Sequence, residues 1–317
     1  MSDLGRVVVL AGGLSHERDV SVRSGRRVAD ALRQADVDVE VMDVDPRLLP
    51  ALAADRPDVV LPALHGAYGE DGAVRDVLEL LGLPYVGSTP DACHTAFDKP
   101  TAKAVVRRAG LRTPESVALP HNTFRDLGAG AVLDAIVERL GLPLFVKPAR
   151  GGSALGATVA RGVDELSSAM VAAFAYGEVA LVERFVEGTE VAVSVVDTGD
   201  GPQALPIVEV VPDGGVYDYA ARYTAGRTEF FVPARLTPAA ATAAAEAAVA
   251  AHRALGLRDL SRTDLIVDAD GVPWFLEANV APGMTETSLF PLAVSAAGMD
   301  PGVLYRELLH RASRRGV

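Results

Sequence analysis

The chain has 317 residues, 49% of them hydrophobic and 23% charged, and a formal net charge of -12. That length exceeds one ordinary domain and points to two or three compact units of an ordered globular protein. The acidic balance argues against a nucleic-acid or anionic-membrane partner, so any polyanionic ligand must meet a local cluster of Lys and Arg.

From residue 5 to about 88, short apolar strands alternate with helices. Strands are expected at Val7–Leu10, Val37–Met42 and Val59–Ala63, and helices at Glu17–Gln34 and Ala73–Leu81. This alternation predicts an α/β unit with a parallel, doubly wound sheet. Ligands of such sheets sit beyond the carboxyl ends of the strands. The polar clusters Ser15-His16-Glu17-Arg18 and His65-Gly66-Ala67-Tyr68-Gly69-Glu70-Asp71-Gly72 fall at those ends, and His65 is expected to face a ligand. Gly12-Gly13 lacks the further glycine spacing of a dinucleotide fingerprint. The run Arg6–Gly13 is too short for a secretory signal and reads as a buried first strand. The lone cysteine, Cys93, rules out an intramolecular disulfide, fits a reducing compartment and reads as a small buried hydrophobe.

A second unit is expected over 89–187. Asp98-Lys99 enters a helix that ends near Gly110, and Leu144–Pro148 is a strand. The turn Arg150-Gly151-Gly152-Ser153-Ala154-Leu155-Gly156 leads into strand Ala157–Ala160, with helix Val163–Ala175 and strand Val179–Phe185 beyond. Because this loop joins two strands and has no Lys after glycine, it reads as a hairpin, either an ordinary glycine turn or one whose N–H groups close over phosphates. Lys99 and Lys147 supply the local positive charge.

The third unit, 188–317, opens with strands Glu190–Asp197 and Leu205–Val211. The polar, Tyr-rich stretch 216–226 has no periodicity and is long enough to be a lid. Pro238–Leu257 is Ala-rich but interrupted by Glu246, His252 and Arg253, so it is a surface helix with His252 solvated. No window reaches the roughly 18–20 apolar residues of a membrane span, and a cytoplasmic protein is expected. Two strands follow, around Arg262–Val267 and Trp274–Asn279, and then a C-terminal helix ending in Arg311–Arg315.

Those two strands carry the most chemistry. Residues two apart on a strand share a face, so Arg262 with Asp264, and Glu277 with Asn279, project together. Side by side, the strands offer Asp264, Glu277 and Asn279 to a magnesium ion that bridges substrate phosphates, and Arg262 to an anion.

In its order of motifs the chain resembles the D-alanine–D-alanine ligases of the ATP-grasp superfamily. The residues that carry the resemblance are Gly12-Gly13-x-Ser15-x-Glu17-Arg18-x-Val20-Ser21, His65-Gly66-x-x-Gly69-Glu70-Asp71-Gly72, Asp98-Lys99, Val146-Lys147-Pro148, Tyr217-Asp218-Tyr219, Arg262-x-Asp264 and Glu277-Ala278-Asn279-x-x-Pro282-Gly283-Met284-Thr285. The resemblance implies three domains, divided near 88 and 187, with ATP held between the central and C-terminal ones. It implies that the carboxylate of a first D-alanine takes the γ-phosphoryl group, and that the amine of a second then expels phosphate to give D-alanyl-D-alanine for peptidoglycan.

Residue roles follow from the same resemblance. Asp264, Glu277 and Asn279 would hold two magnesium ions, with manganese as an alternative. Lys99, Lys147 and Arg222 would contact the ATP phosphates. Glu183 and the backbone of Arg184 and Val186 would meet adenine, and Glu190 the ribose. Glu17 would orient the first ammonium and, with Ser153 and Tyr223, latch the lid. Val20, His65 and Tyr219 would line the amino-acid subsites. Arg262 and the Gly283 N–H would stabilise the oxyanion, while Ser288 and the Leu289 N–H would receive the second carboxylate. The family also suggests a homodimer through the N-terminal unit.

The chain departs from the family at three places. The lid pattern Glu-Ala-Lys-Tyr reads Ala220-Ala221-Arg222-Tyr223, the loop reads Ala149-Arg150-Gly151-Gly152-Ser153-Ala154, and Val280-Ala281 stands where the pattern has Thr-x. A ligase for another amino-acid pair, and a nucleotide-binding homologue without catalysis, therefore stay open on sequence alone.

Overall fold

The computed structural model describes residues 4–215, 217, 221, 222, 224 and 226–317. Strands β1 (Val7–Ala11), β2 (Val39–Asp43) and β3 (Val59–Pro62) form a parallel sheet in the order β2-β1-β3. β1 is buried along its whole length, as a strand covered on both faces must be. On one side Val7 and Val9 meet Val28 and Leu32 of helix Arg18–Gln34 and Leu304 and Leu308 of helix Pro301–Arg315. On the other, Val8 and Leu10 meet Leu52 and Leu78 of helices Leu48–Ala54 and Ala73–Leu80. The C-terminal helix therefore helps to close the N-terminal core.

The second sheet is antiparallel, with β4 (Ser116–Pro120), β5 (Leu144–Pro148), β6 (Thr158–Ala160) and β7 (Val179–Arg184) in the order β4-β7-β5-β6. β5 and β6 pair as the two arms of the glycine-rich hairpin. The third comprises β8 (Thr189–Val196), β9 (Gln203–Ala204), β10 (Val208–Pro212), β11 (Thr228–Phe231), β12 (Leu260–Val267) and β13 (Pro273–Asn279). Its order is β11-β10-β8-β12-β13, with β9 on β8. Helices Pro90–Phe97 and Lys99–Arg108 pack on this third sheet, Ala96, Ala102 and Val106 lying among Val193, Phe275 and Ala278. That packing carries Lys99 to the edge of β13.

Several local expectations are corrected. The strand expected at Leu205–Val211 starts only at Val208, since Pro206 cannot donate to a ladder. Strand β4 and helices Leu48–Ala54, His121–Leu127 and Ala129–Leu140 were not anticipated. His252 is not solvated. It is 1% exposed and its Nδ1 lies 2.8 Å from Ser261 Oγ. The face Ala244-Ala248-Ala251 is small enough to bring the helix close to the sheet, and His252 goes in with it. Among the described residues, no helix is long and apolar enough to cross a membrane.

Candidate active site

β12 and β13 pair antiparallel with Asp264 opposite Glu277 and Arg262 opposite Asn279. All four lie on the face that strand alternation predicts, and a bulge after Asp264 shifts the register beyond them. Arg262 reaches Asp264 with two prongs, Nε to Oδ1 at 2.7 Å and the second nitrogen to Oδ2 at 2.8 Å. Although burial opposes its charge, Asp264 and Glu277 hold Arg262 firmly protonated. Glu277 lies 3.4 Å from Lys99 Nζ. Burial would raise its pKa, but Lys99, Lys147, Arg222 and Arg262 together bring it down to about 2. Asn279 Oδ1 accepts from the Ala281 N–H at 2.7 Å, which orients the amide.

This face forms the floor of a cavity of about 510 Å³ between the second and third sheets, lined by Lys147, Glu183, Glu190, Arg222, Asp264 and the segment Arg184–Glu187, among others. Its size suits a nucleotide. Glu183 is 2% exposed and sits between two ammonium groups, Lys103 at 2.5 Å and Lys147 at 2.7 Å. Burial works against its charge, yet the two lysines keep it ionised. Lys103 itself is pushed down to about 8, because burial outweighs the nearby carboxylate. Glu190 is raised to about 7 by burial, with Arg222 working the other way. The Arg184 N–H is spent on the Glu115 carbonyl at 2.9 Å, whereas the Val186 N–H has no hydrogen bond among the described residues.

A second cavity, about 120 Å³, shares Lys99, Gly151, Gly152, Tyr217, Arg222 and Glu277 with the first. Glu17, Val20, His65, Ser153, Arg262, Gly283, Ser288 and Leu289 are all on its wall. The Ser153 hydroxyl donates to the Glu17 carboxylate, tying the glycine loop to the N-terminal unit. Only glycine fits at position 66, where φ is +71° and a Cβ would lie 2.5 Å from Glu17 Oε2. At Gly283 a Cβ would lie 2.7 Å from Ser288 Oγ. Ser288 caps helix Leu289–Ala296 in position, and its Oγ accepts from the Thr285 N–H at 3.1 Å.

His65 is 4% exposed and both ring nitrogens are engaged by the protein. Nδ1 lies 3.0 Å from the Ala281 carbonyl and Nε2 lies 2.8 Å from Ser24 Oγ. A carbonyl only accepts, so Nδ1 carries the proton and Nε2 accepts from the Ser24 hydroxyl. Burial favours this neutral form and lowers the His65 pKa. Ser24 also accepts from the Met284 N–H at 3.1 Å. Helix Arg18–Gln34, the His65 loop and the turn around Gly283 are thereby fixed to one another.

The structure thus gathers eighteen of the residues singled out from the sequence around two joined cavities. Tyr219 and Tyr223 lie outside the described residues. Four neighbours escaped the sequence reading. Lys103 lies one helical turn beyond Lys99, and i, i+4 spacing was its available signal. Glu70, which accepts from the Gly66 N–H at 3.1 Å, is raised to about 8 by burial and by Glu17, and it belonged to a quoted motif. Ser24 and Arg23 sit one turn beyond Val20 on the same helix.

Comparison with known proteins agrees with this geometry. The family model for the D-ala D-ala ligase N-terminus matches residues 50–88, and that for the D-ala D-ala ligase C-terminus matches residues 105–310. A D-alanine–D-alanine ligase from Bordetella petrii is 44% identical over 310 residues, covering 98% of this chain and 93% of its own. The solved D-alanine–D-alanine ligase of Bacillus anthracis superposes with a TM-score of 0.83 at 31% identity, over 98% of each chain. Its complex with ATP gives 0.79 at 29% identity, over 98% of this chain and 97% of that one. Both family models match in chain order, and a relative this similar spans nearly the whole sequence, so the chain belongs to the D-alanine–D-alanine ligase family.

Proposed function

We propose that this protein is an ATP-dependent, ADP-forming ligase that joins two D-alanines through a D-alanyl phosphate, supplying the dipeptide for peptidoglycan. The observation that carries the reading is the junction of the two cavities. A nucleotide-sized space and a smaller polar one meet at Glu277 and Lys99, where a phosphoryl group could pass from one to the other.

The donor set fits magnesium. Two carboxylates and an oriented amide oxygen, Asp264, Glu277 and Asn279, are hard oxygen ligands, and phosphate oxygens would complete the shell. Bound there, the ions would neutralise the β- and γ-phosphates during transfer. Lys99, Lys147 and Arg222 would offset the remaining phosphate charge, Glu183 and Val186 would read adenine, and Glu190 would take the ribose. Glu17 would hold the ammonium of the first D-alanine, leaving that amino acid's own carboxylate aimed at the γ-phosphate. Once that carboxylate is phosphorylated, the second amine would attack its carbonyl. Arg262 and the Gly283 N–H would stabilise the oxyanion before phosphate leaves with the bonding pair. Closure of the loop tied by Ser153 to Glu17 would exclude water from the acyl phosphate. Val20 and His65 would wall the first subsite, and Ser288 with the Leu289 N–H would receive the second carboxylate. Tyr223 keeps its proposed role as a lid latch, and Tyr219 its proposed place at an amino-acid subsite.

The same reading takes 1–88, 89–187 and 188–317 as the three units, each contributing one of the sheets. It also takes the protein as a cytoplasmic homodimer, which light scattering would check. The deciding assay combines purified protein, ATP and Mg²⁺ with a panel of D- and L-amino acids. D-alanine should give ADP, phosphate and a product of D-alanyl-D-alanine mass, with ¹⁸O from the first carboxylate appearing in phosphate. Release of phosphate only with another amino-acid pair would replace the substrate assignment, and none with any pair would overturn the activity.

A further inference from the structure

Helix Arg18–Gln34 presents one face to the smaller cavity. Glu17, Val20 and Arg23, spaced by three, all line it. One turn further on, Arg27 lies 3.4 Å from Glu286, in the loop that leads to Ser288. The face therefore runs from the end proposed for the first ammonium to the end proposed for the second carboxylate, and Arg23 stands between them. Lys99 and Arg262 on the same wall have Glu277 and Asp264 beside them. Arg23 has no carboxylate within ion-pair distance among the described residues, and its one hydrogen bond is a long one, Nε to the Asp19 carbonyl at 3.4 Å.

The charges match a dipeptide. Ammonium and carboxylate of an extended dipeptide lie roughly 7 Å apart on standard backbone dimensions. Positions 17 and 23 of a helix are separated by roughly 9 Å along its axis. An acid at the first and a guanidinium at the second complement a zwitterion lying along that face. On a chain of net charge -12 an approaching carboxylate otherwise meets repulsion.

We propose that Arg23 is the ion-pairing residue for the carboxylate of the second amino acid and makes the acceptor site selective for a free carboxylate. The proposal rests on the reading that Ser288 and Leu289 face that amino acid. The test is steady-state kinetics resolving the two D-alanine sites, with D-alaninamide as an acceptor that lacks the carboxylate. Arg23→Gln should raise the second-site KM by about three- to tenfold, as loss of one exposed charge-assisted contact does. The preference for D-alanine over D-alaninamide should shrink by the same factor. kcat, first-site KM and ATP KM should stay within about twofold, a split that general loosening of the helix would not give. Arg23→Lys should keep most of the effect of the charge, and 0.5 M salt should narrow the gap between wild type and Arg23→Gln. If Ser288→Ala raises the second-site KM while Arg23→Gln leaves it and the acceptor preference unchanged, the role of Arg23 is overturned and the subsite stands. If neither variant moves it, the subsite itself is misplaced and the proposal falls with it.

Discussion

Two buried ion clusters in this protein are built to opposite rules. Around Asp259, which is fully buried, each carboxylate has its own guanidinium. Arg315 holds both oxygens of Asp259 at 2.8 and 2.9 Å, Arg311 pairs with Asp197 at 3.0 Å, and the Gly87 N–H adds a bond at 2.7 Å. Arg258 alongside is met by the Tyr85 ring at 4.9 Å rather than by an acid. This cluster joins the C-terminal helix, the third sheet and the end of the N-terminal unit. Around Glu183, by contrast, two ammonium groups share one carboxylate. Desolvating an unbalanced charge is costly, so a surplus cation held inside an acidic protein marks a place where a ligand's negative charge completes the count. The framework's extra cation, Arg258, keeps a partly exposed side chain against a ring, whereas both cations of the site are buried on a single carboxylate.

The sharpest way to break that comparison is to unbalance the framework. Asp259→Asn leaves Arg311 and Arg315 without their shared partner and should lower stability by roughly 3–5 kcal/mol. Denaturant midpoints would show it, with KM values of the remaining folded enzyme unchanged. A shift in ATP KM instead would mean that the joint belongs to the site. On the site side, Glu277→Gln removes a charge that the reaction needs and that also pairs with Lys99. Turnover should fall roughly 10²–10³-fold with the fold intact. More than about half of wild-type turnover would remove Glu277 from the metal set.

What could be read in advance was local. The shared face of Arg262, Asp264, Glu277 and Asn279 follows from strand alternation, and the pairing of β12 with β13 delivers it. The glycine hairpin was legible because β5 and β6 adjoin it in sequence. Lys103 was not legible, since its partner Glu183 lies 80 residues away and only packing of helix Lys99–Arg108 decides which lysine turns inward. His252 was misread because a helix of alanines shows no contrast between apolar and polar faces. The His65–Ser24–Met284 network joins three distant segments and leaves no pattern in any of them.

His252 also gives the framework a pH test. Burial lowers its pKa to about 4, with Asp197 and Asp259 opposing. An unfolded histidine titrates near 6.5, so between about 6.5 and 4 the unfolded chain holds a proton that the folded one refuses. Stability therefore falls as pH drops through that window, is unaffected above it, and has lost up to about 3 kcal/mol from this group at its lower end. His252→Asn should flatten the decline relative to wild type in urea unfolding followed between pH 7 and 4. Parallel curves for the two proteins would place the acid sensitivity elsewhere.

The smallest expected effect concerns Arg222, which lines both cavities. Its guanidinium lies 4.3 Å from the centre of the Tyr217 ring, and its Nε has no hydrogen-bond partner among the described residues. Stacking fixes the plane of the group while leaving donors to turn toward phosphate, a combination that lysine lacks. Charge alone, however, supplies most of what a developing phosphoryl group requires. Arg222→Lys should therefore keep kcat within about tenfold, roughly 1.4 kcal/mol, with ATP KM nearly unchanged. Arg222→Ala should lose more in kcat than in ATP KM, since the contact tightens as charge develops. If the alanine variant turns over like wild type, the lysines that line the cavities, Lys99 and Lys147, supply the charge that phosphate needs, and Arg222 only packs on Tyr217.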